Sequence, residues 1–266
     1  TPMQSVSQSY RTGILKVVEA PPPNAMGASV LVGTHWSVIS SGTEKTKVDT
    51  AKKSLVGKAV ARPDLVRQVI ERAKKEGLWR TWQVVADRLN APTPLGYSCA
   101  GTVIAAHGDV GDLRVGDLVA CAGSTANHAE IVSVPRNLVV RVPEGVGLDH
   151  AAFATLGAIA VQGVRQASVQ FGEKVAVIGL GLIGLMTVQI LRAAGCRVLG
   201  IDINPAKLKL ARDLGCDATV LSQDEGLEEQ VVLFTGGFGV DATVITAASS
   251  SNQPIELSGD ITRERG

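Results

Sequence analysis

The sequence predicts a two-part protein of mixed β and α/β class, a small β-barrel followed by a doubly wound parallel sheet. Three observations carry this. Short strand-like runs parted by Gly and Asp recur at roughly 8–12-residue spacing over residues 94–141. From about Leu148 the pattern switches to alternating helical and strand-like segments. At the head of that second pattern the apolar run Val175-Ala176-Val177-Ile178 feeds a G-x-G-x-x-G turn at Gly179, Gly181 and Gly184.

Residues 13–18 and 29–34 read as strands, separated by Pro21-Pro22-Pro23 and closed by Ser40-Ser41-Gly42. Residues 45–93 differ in kind. Pro63-Asp64 opens a helix, and Leu65, Val66, Val69, Ile70 and Ala73 recur at helical spacing. Gly77 ends it, and Trp79, Trp82, Val85 and Leu89 mark a second helical piece. Residues 45–89 hold twelve Lys/Arg against five Asp/Glu. That balance reads as a solvated basic face with its Trp rings packed on the body, in preference to a docking face for an acidic partner. Strands over 102–105, 118–121, 131–134 and 138–141 complete the β block.

The second part begins with an Ala-rich helix over 149–168. Strands are expected over 175–178, 198–202, 218–221 and 240–246. Between them come a helix over 182–194 stopped by Gly195, and one that Asn204-Pro205 caps and Gly215 ends. Ser222-Gln223-Asp224-Glu225 fits a capping box before another helix. A full domain of this class has about six strands, so the sheet is expected to be incomplete at its C-terminal end.

Bulk properties narrow the function. With 266 residues, 45% hydrophobic and 19% charged, the chain can bury a substantial core. A net charge of +1 gives no global pull toward nucleic acid or a membrane surface. No apolar run reaches membrane-spanning length. Cys99, Cys121, Cys196 and Cys216 show no C-x-x-C spacing and read as reduced thiols of a cytoplasmic protein.

The glycine turn points to a dinucleotide. Gly179 allows the tight turn, Gly181 lets backbone approach a pyrophosphate, and Gly184 lets the helix pack on the strand. The amides of Leu182 and Ile183 at the helix start face the phosphates. Asp202 ends the second strand, where a carboxylate bonds ribose hydroxyls and repels a 2′-phosphate; NAD(H) is therefore favoured over NADP(H). Ile203 follows it, Lys207 is within reach of the same pocket, and Thr246 ends the fourth strand. These residues form the candidate cofactor set. The alternative reading is a glycine-rich corner that binds nothing.

The chain resembles the medium-chain dehydrogenase/reductase superfamily, the alcohol-dehydrogenase and quinone-reductase group. The matching pieces are Ser41-Gly42-Thr43-Glu44, the run Leu95-Gly96-Tyr97-Ser98-Cys99-Ala100-Gly101-Thr102-Val103, Val115-Gly116-Asp117-Leu118-Val119, His128-Ala129-Glu130, the Gly179 turn and Gly239-Val240-Asp241. The resemblance implies a GroES-like β-barrel substrate domain over 1–150, with a helical insertion at about 45–93. It implies a Rossmann-type NAD-binding domain over 151–266. More narrowly, the insertion and the Leu-Gly-Tyr-Ser stretch look like a bi-domain oxidoreductase subgroup, with a second oxidoreductase domain beyond the last residue.

Zinc-dependent relatives place Cys, His, Glu and Cys at the positions of Ser41, Tyr97, Ser98 and near Ala154, and none of those ligand types stands here. No zinc is therefore expected. Thr43 falls at the family's proton-relay hydroxyl, Tyr97 at a zinc-ligand position with a phenol that could donate to substrate oxygen, and Glu44 beside them. These three are the catalytic candidates, each with a plain reading as turn, packed ring or ion pair. His128 stays ambiguous. The expected function is zinc-independent hydride transfer between NAD(H) and an alcohol, carbonyl or activated alkene of a small-molecule substrate. The alternative is a non-catalytic dinucleotide-binding or interaction module. A homo-oligomer is left open.

Overall fold

Strands β1 (Met3–Ser9), β2 (Leu15–Ala20) and β4 (Pro92–Pro94) form a three-stranded antiparallel sheet in the order β2-β1-β4. A five-stranded antiparallel sheet has the order β7-β3-β5-β6-β8, with β3 (Ser29–Ser37) and β5 (Ser98–His107) at its centre. Its other strands are β6 (Leu118–Ala122), β7 (Ile131–Pro135) and β8 (Val139–Arg141). The structure, a computed structural model, describes residues 2–9, 12–40 and 92–266, with Gly42, Glu44, Val48, Arg67, Val69, Glu71, Lys74, Lys75, Gly77, Trp79, Arg80, Trp82 and Gln83 between them. The chain divides into two units, Thr1–Thr155 and Leu156–Gly266.

The first unit curls its two sheets together through β1. The Val6 N–H donates to the His128 carbonyl at 2.8 Å, Glu130 N–H to Gln4 at 3.0 Å, and Ser5 bridges Ala129. Val30, Val32, Cys99, Val103, Val119, Cys121, Val132 and Val134 fill the space these strands enclose. β-Branched side chains suit such pleated, buried surfaces. Gly101 is required where β3 and β5 press together, because a Cβ there would lie 2.0 Å from the Gly33 carbonyl oxygen. A short helix α1 (Leu148–Ala151) follows.

Helix α2 (Ala154–Gln166) leads into the second unit. The single helix expected over 149–168 is thus two, separated at Ala152 and Phe153. A four-stranded parallel sheet follows in the order β11-β10-β9-β12: β9 (Lys174–Ile178), β10 (Arg197–Asp202), β11 (Ala218–Leu221) and β12 (Ala242–Ile245). Its helices are α3 (Leu182–Ala193), α4 (Pro205–Asp213), α5 (Leu227–Thr235) and α6 (Gln253–Ile261). The sheet is covered on both faces. Val175 and Val177 of β9 enter one core with Val188 and Leu191, while Ala176 and Ile178 enter the other with Val231 and Ile261. This double burial explains why β9 reads as an unbroken apolar run.

Asn204 caps α4 as expected, its side chain accepting the Ala206 N–H at 2.9 Å. The capping box before α5 does not form. Asp224 instead accepts the Gly226 N–H at 2.9 Å in a local turn, and α5 begins after Gly226 without a side-chain cap. The Trp packing is also corrected, since Trp79 is 75% and Trp82 62% exposed. Every described residue from Arg67 to Gln83 is exposed, so these residues offer no buried face for an indole to join. The rest of the 45–93 insertion lies outside the described residues.

Candidate functional site

The glycine turn sits at the end of β9, beside β12 and facing β10. Gly179 has φ +97°, a backbone conformation open mainly to glycine, and a Cβ there would lie 2.5 Å from the Ala247 nitrogen. A Cβ on Gly184 would sit 1.9 Å from the Gly179 carbonyl oxygen and 2.7 Å from Thr246 Oγ1. Thr246 donates its hydroxyl to the Gly179 carbonyl and so pins the turn from the neighbouring strand. Around the Cβ position of Gly181, by contrast, nothing lies within 4 Å. Gly181 is the N-cap of α3 and supplies no side-chain cap. The amides of Leu182 and Ile183 in the first turn are therefore left for a partner from outside the helix. Two glycines are needed for packing, and the third opens a path to the helix start.

Asp202 closes the site from β10. Its side chain is buried, with Oδ2 accepting the Leu180 N–H at 2.6 Å and Oδ1 accepting the Asn204 N–H at 2.9 Å. Lys207 Nζ lies 3.4 Å from Oδ2. The expected reach of Lys207 is therefore realised on the acid itself. Ile203 is exposed beside it. The structure thus brings Gly179, Gly181, Leu182, Ile183, Gly184, Asp202, Ile203, Lys207 and Thr246 into one region at the strand ends and the start of α3.

In the first unit the catalytic candidates fare differently. Thr43 lies outside the described residues, as does Ser41. Tyr97 is half-buried, and its phenol has no hydrogen-bond partner among the described residues. Glu44 is buried and bonded: Oε1 accepts the Ser40 N–H at 2.9 Å, and Oε2 lies 3.0 Å from His128 Nε2. His128 Nδ1 lies 2.9 Å from Ser37 Oγ. Gly96, at φ +95°, passes under the imidazole, where a Cβ would come within 2.9 Å of Nδ1. Sequence reasoning did not place Ser37 in any site. Ser37 and Glu44 each bond His128, which stands 91 and 84 positions further along the chain. The antiparallel pairing of β3 with β7, continued by the Thr34 N–H donating to the Glu130 carbonyl at 2.9 Å, lays the end of β3 beside the turn that holds His128.

Comparison with known proteins bears on both regions. The zinc-binding dehydrogenase family model matches residues 183–266. The chain is 27% identical over 176 residues to a (R,R)-butanediol dehydrogenase of Bacillus subtilis, covering 57% of this chain and 51% of the relative. It is 30% identical over 155 residues to a D-guloside 3-dehydrogenase of Shigella flexneri, covering 58% and 44%. The solved alcohol dehydrogenase of Thermus sp. ATN1 superposes with a TM-score of 0.75 at 20% identity, over 98% of this chain and 75% of that one. The chain is similar to zinc-binding dehydrogenases over residues 183–266 and shares the fold of solved alcohol dehydrogenases and quinone oxidoreductases of the medium-chain dehydrogenase/reductase superfamily. It spans about half the length of the curated relatives it matches, 51% and 44%. Its fold is that of a GroES-like barrel joined to a Rossmann-type sheet, as in those solved structures.

The superfamily's zinc does not fit the donors described here. The Ser98 hydroxyl is buried and donates to the Ala152 carbonyl at 2.6 Å. Tyr97 offers a phenol, Ala154 offers nothing, and Glu44 and His128 are engaged with each other. Among the described residues no group of three His, Cys, Asp or Glu side chains converges.

Proposed function

We propose that the chain is a zinc-independent oxidoreductase that transfers a hydride between NAD(H) and an alcohol/carbonyl or activated-alkene substrate. The segment 1–150 serves the substrate and 151–266 the cofactor. The observation that supports this most is the open side of Gly181 beside the uncapped start of α3, with Asp202 ending the next strand. A bound nicotinamide dinucleotide supplies the hydride chemistry. The chain's own part is to bind and orient it. The α3 amides of Leu182 and Ile183 take the pyrophosphate, and Asp202 takes the adenosine ribose. A carboxylate has about four acceptor positions, and Leu180, Asn204 and Lys207 use three of them. The remaining one suits a ribose hydroxyl. Lys207 softens the repulsion of a 2′-phosphate, so the preference for NAD(H) rests on Asp202.

The relatives named for a butanediol and for the 3-position of a guloside favour a secondary alcohol of a polyol or sugar. The test is calorimetry with NADH and NADPH, then NAD⁺ reduction with (R,R)-butane-2,3-diol and sugar glycosides, and NADH oxidation with ketones and quinones. Tighter binding of NADPH than NADH would overturn the cofactor choice. One zinc per chain by metal analysis would overturn zinc independence. Tight NADH binding without any turnover would leave the non-catalytic module, the reading favoured by Tyr97, Ser98 and Ala154 standing where zinc ligands would be. Asp202→Ala should cost about tenfold in the NADH-over-NADPH preference, near 1.4 kcal/mol. Lys207→Ala should sharpen that preference.

A further inference from the structure

Residues 45–89 hold twelve of the chain's 26 Lys/Arg and five of its 25 Asp/Glu, so the other residues carry fourteen against twenty. The net charge of +1 thus sums a basic segment and an otherwise acidic chain. Salt screens charges beyond about 8 Å, so an approaching surface meets the segment's excess and not the sum. Arg67, Lys74, Lys75 and Arg80 are all exposed, and among the described residues none of them enters an ion pair. The apolar positions of the same segment are exposed as well. Arg67, Val69, Glu71, Lys74 and Lys75 are helical, as are Trp79, Arg80, Trp82 and Gln83, with Gly77 at φ +87° between them. At helical spacing Val69 falls opposite Arg67, Glu71, Lys74 and Lys75, and it is 40% exposed. In sequence, Leu65, Val66, Ile70 and Ala73 continue its stripe. Trp79 and Trp82, three positions apart, share a face, and both indoles stand in water.

Such a face suits an anionic partner, and its apolar half decides which kind. A nucleic-acid strand uses cations and aromatic rings but has no place for Val69 and its aliphatic stripe. An acidic protein would need a groove fitted to that stripe and to two indoles beyond the break at Gly77. An anionic bilayer surface takes every part without a fitted groove. Its headgroups meet Lys and Arg, its acyl boundary takes the aliphatic stripe, and indoles favour the interface itself. Among the described residues no helix is long and apolar enough to cross a membrane, so the contact is with the surface. We propose that the segment 67–83, through Val69, Lys74, Lys75, Trp79, Arg80 and Trp82, is a peripheral docking surface for anionic phospholipid. The cations draw the segment to the headgroups, and the indoles then seat at the acyl boundary. This docking does not depend on the reaction proposed above.

The test is vesicle co-sedimentation with tryptophan fluorescence on the whole chain. Vesicles of phosphatidylcholine with phosphatidylglycerol in equal parts should bind at least about tenfold more tightly than phosphatidylcholine alone. Binding should weaken as salt rises, and the tryptophan emission should move to shorter wavelength. The double variant Lys74→Gln with Lys75→Gln should bind the anionic vesicles about 30-fold more weakly. Trp79→Ser with Trp82→Ser should weaken binding and abolish the emission shift, leaving Trp36 unmoved. Both variants should melt like wild type, because every side chain changed is exposed. Lys16→Gln, an exposed charge on β2, should bind like wild type. No binding to the anionic vesicles, equal binding to the neutral ones, or equal losses in Lys16→Gln and in the Lys74/Lys75 variant would overturn the docking surface. Polyglutamate or single-stranded DNA that binds as tightly as the anionic vesicles, with the same loss in both double variants, would assign the face to a protein or a nucleic acid and overturn the lipid.

Discussion

At the scale of single residues, the three glycines of the turn separate packing from binding. Gly184→Ala places a methyl 1.9 Å from the Gly179 oxygen, so the strand–helix contact must open. A loss of about 2–3 kcal/mol is expected, read as a lowered denaturant midpoint. Gly181→Ala meets open space. That variant should melt like wild type and yet bind NADH at least tenfold more weakly, by fluorescence titration. Equal effects on stability and binding in both variants would undo this division of labour. The turn was legible because its residues are contiguous and each glycine has its own steric reason. Ser37, His128 and Glu44 were not legible, because each is ordinary in its own stretch and their meeting depends on strand pairing across most of the first unit.

At the scale of elements, Asp241 joins the start of β9 to the end of the second unit. It accepts the Lys174 N–H at 2.7 Å and the Arg263 guanidinium at 2.7 Å. Burial pushes its carboxyl up, but the Lys174 amide and Arg263 outweigh it and hold the group below the usual carboxylate range. A depressed folded-state value means the stabilisation is complete above the unfolded-chain value near 3.9. It is lost as pH falls through the lower folded value. Asp241→Asn should therefore cost about 1–2 kcal/mol at pH 7 and little near pH 2, measured by urea melts across pH. The parallel strands were legible from their apolar runs. β1 was not: Ser5, Ser7 and Gln8 are buried in it, and a strand whose inward face is polar carries no hydrophobic alternation. β4, with Pro at both ends of three residues, carries the residue signals of a turn.

At the scale of the whole molecule, the chain has two units, Thr1–Thr155 and Leu156–Gly266. Each part keeps its own core and its own polar cluster, the hydrogen-bond chain through His128 in one and the glycine turn with Asp202 in the other. Their cysteines follow the same division. Cys99 and Cys121 face each other across β5 and β6, and Cys196 and Cys216 flank β10. All four are free and buried. The bond to Cys99 and burial both push the Cys121 thiol up, and burial pushes Cys216 up to about 11. None is an ordinary surface nucleophile, so an alkylating reagent must wait for the fold to open. The thiols thus act as two built-in timers. Pulsed alkylation followed by peptide mass spectrometry should tag Cys99 with Cys121, and Cys196 with Cys216, at two distinct rates. One common rate would mean that both halves breathe together.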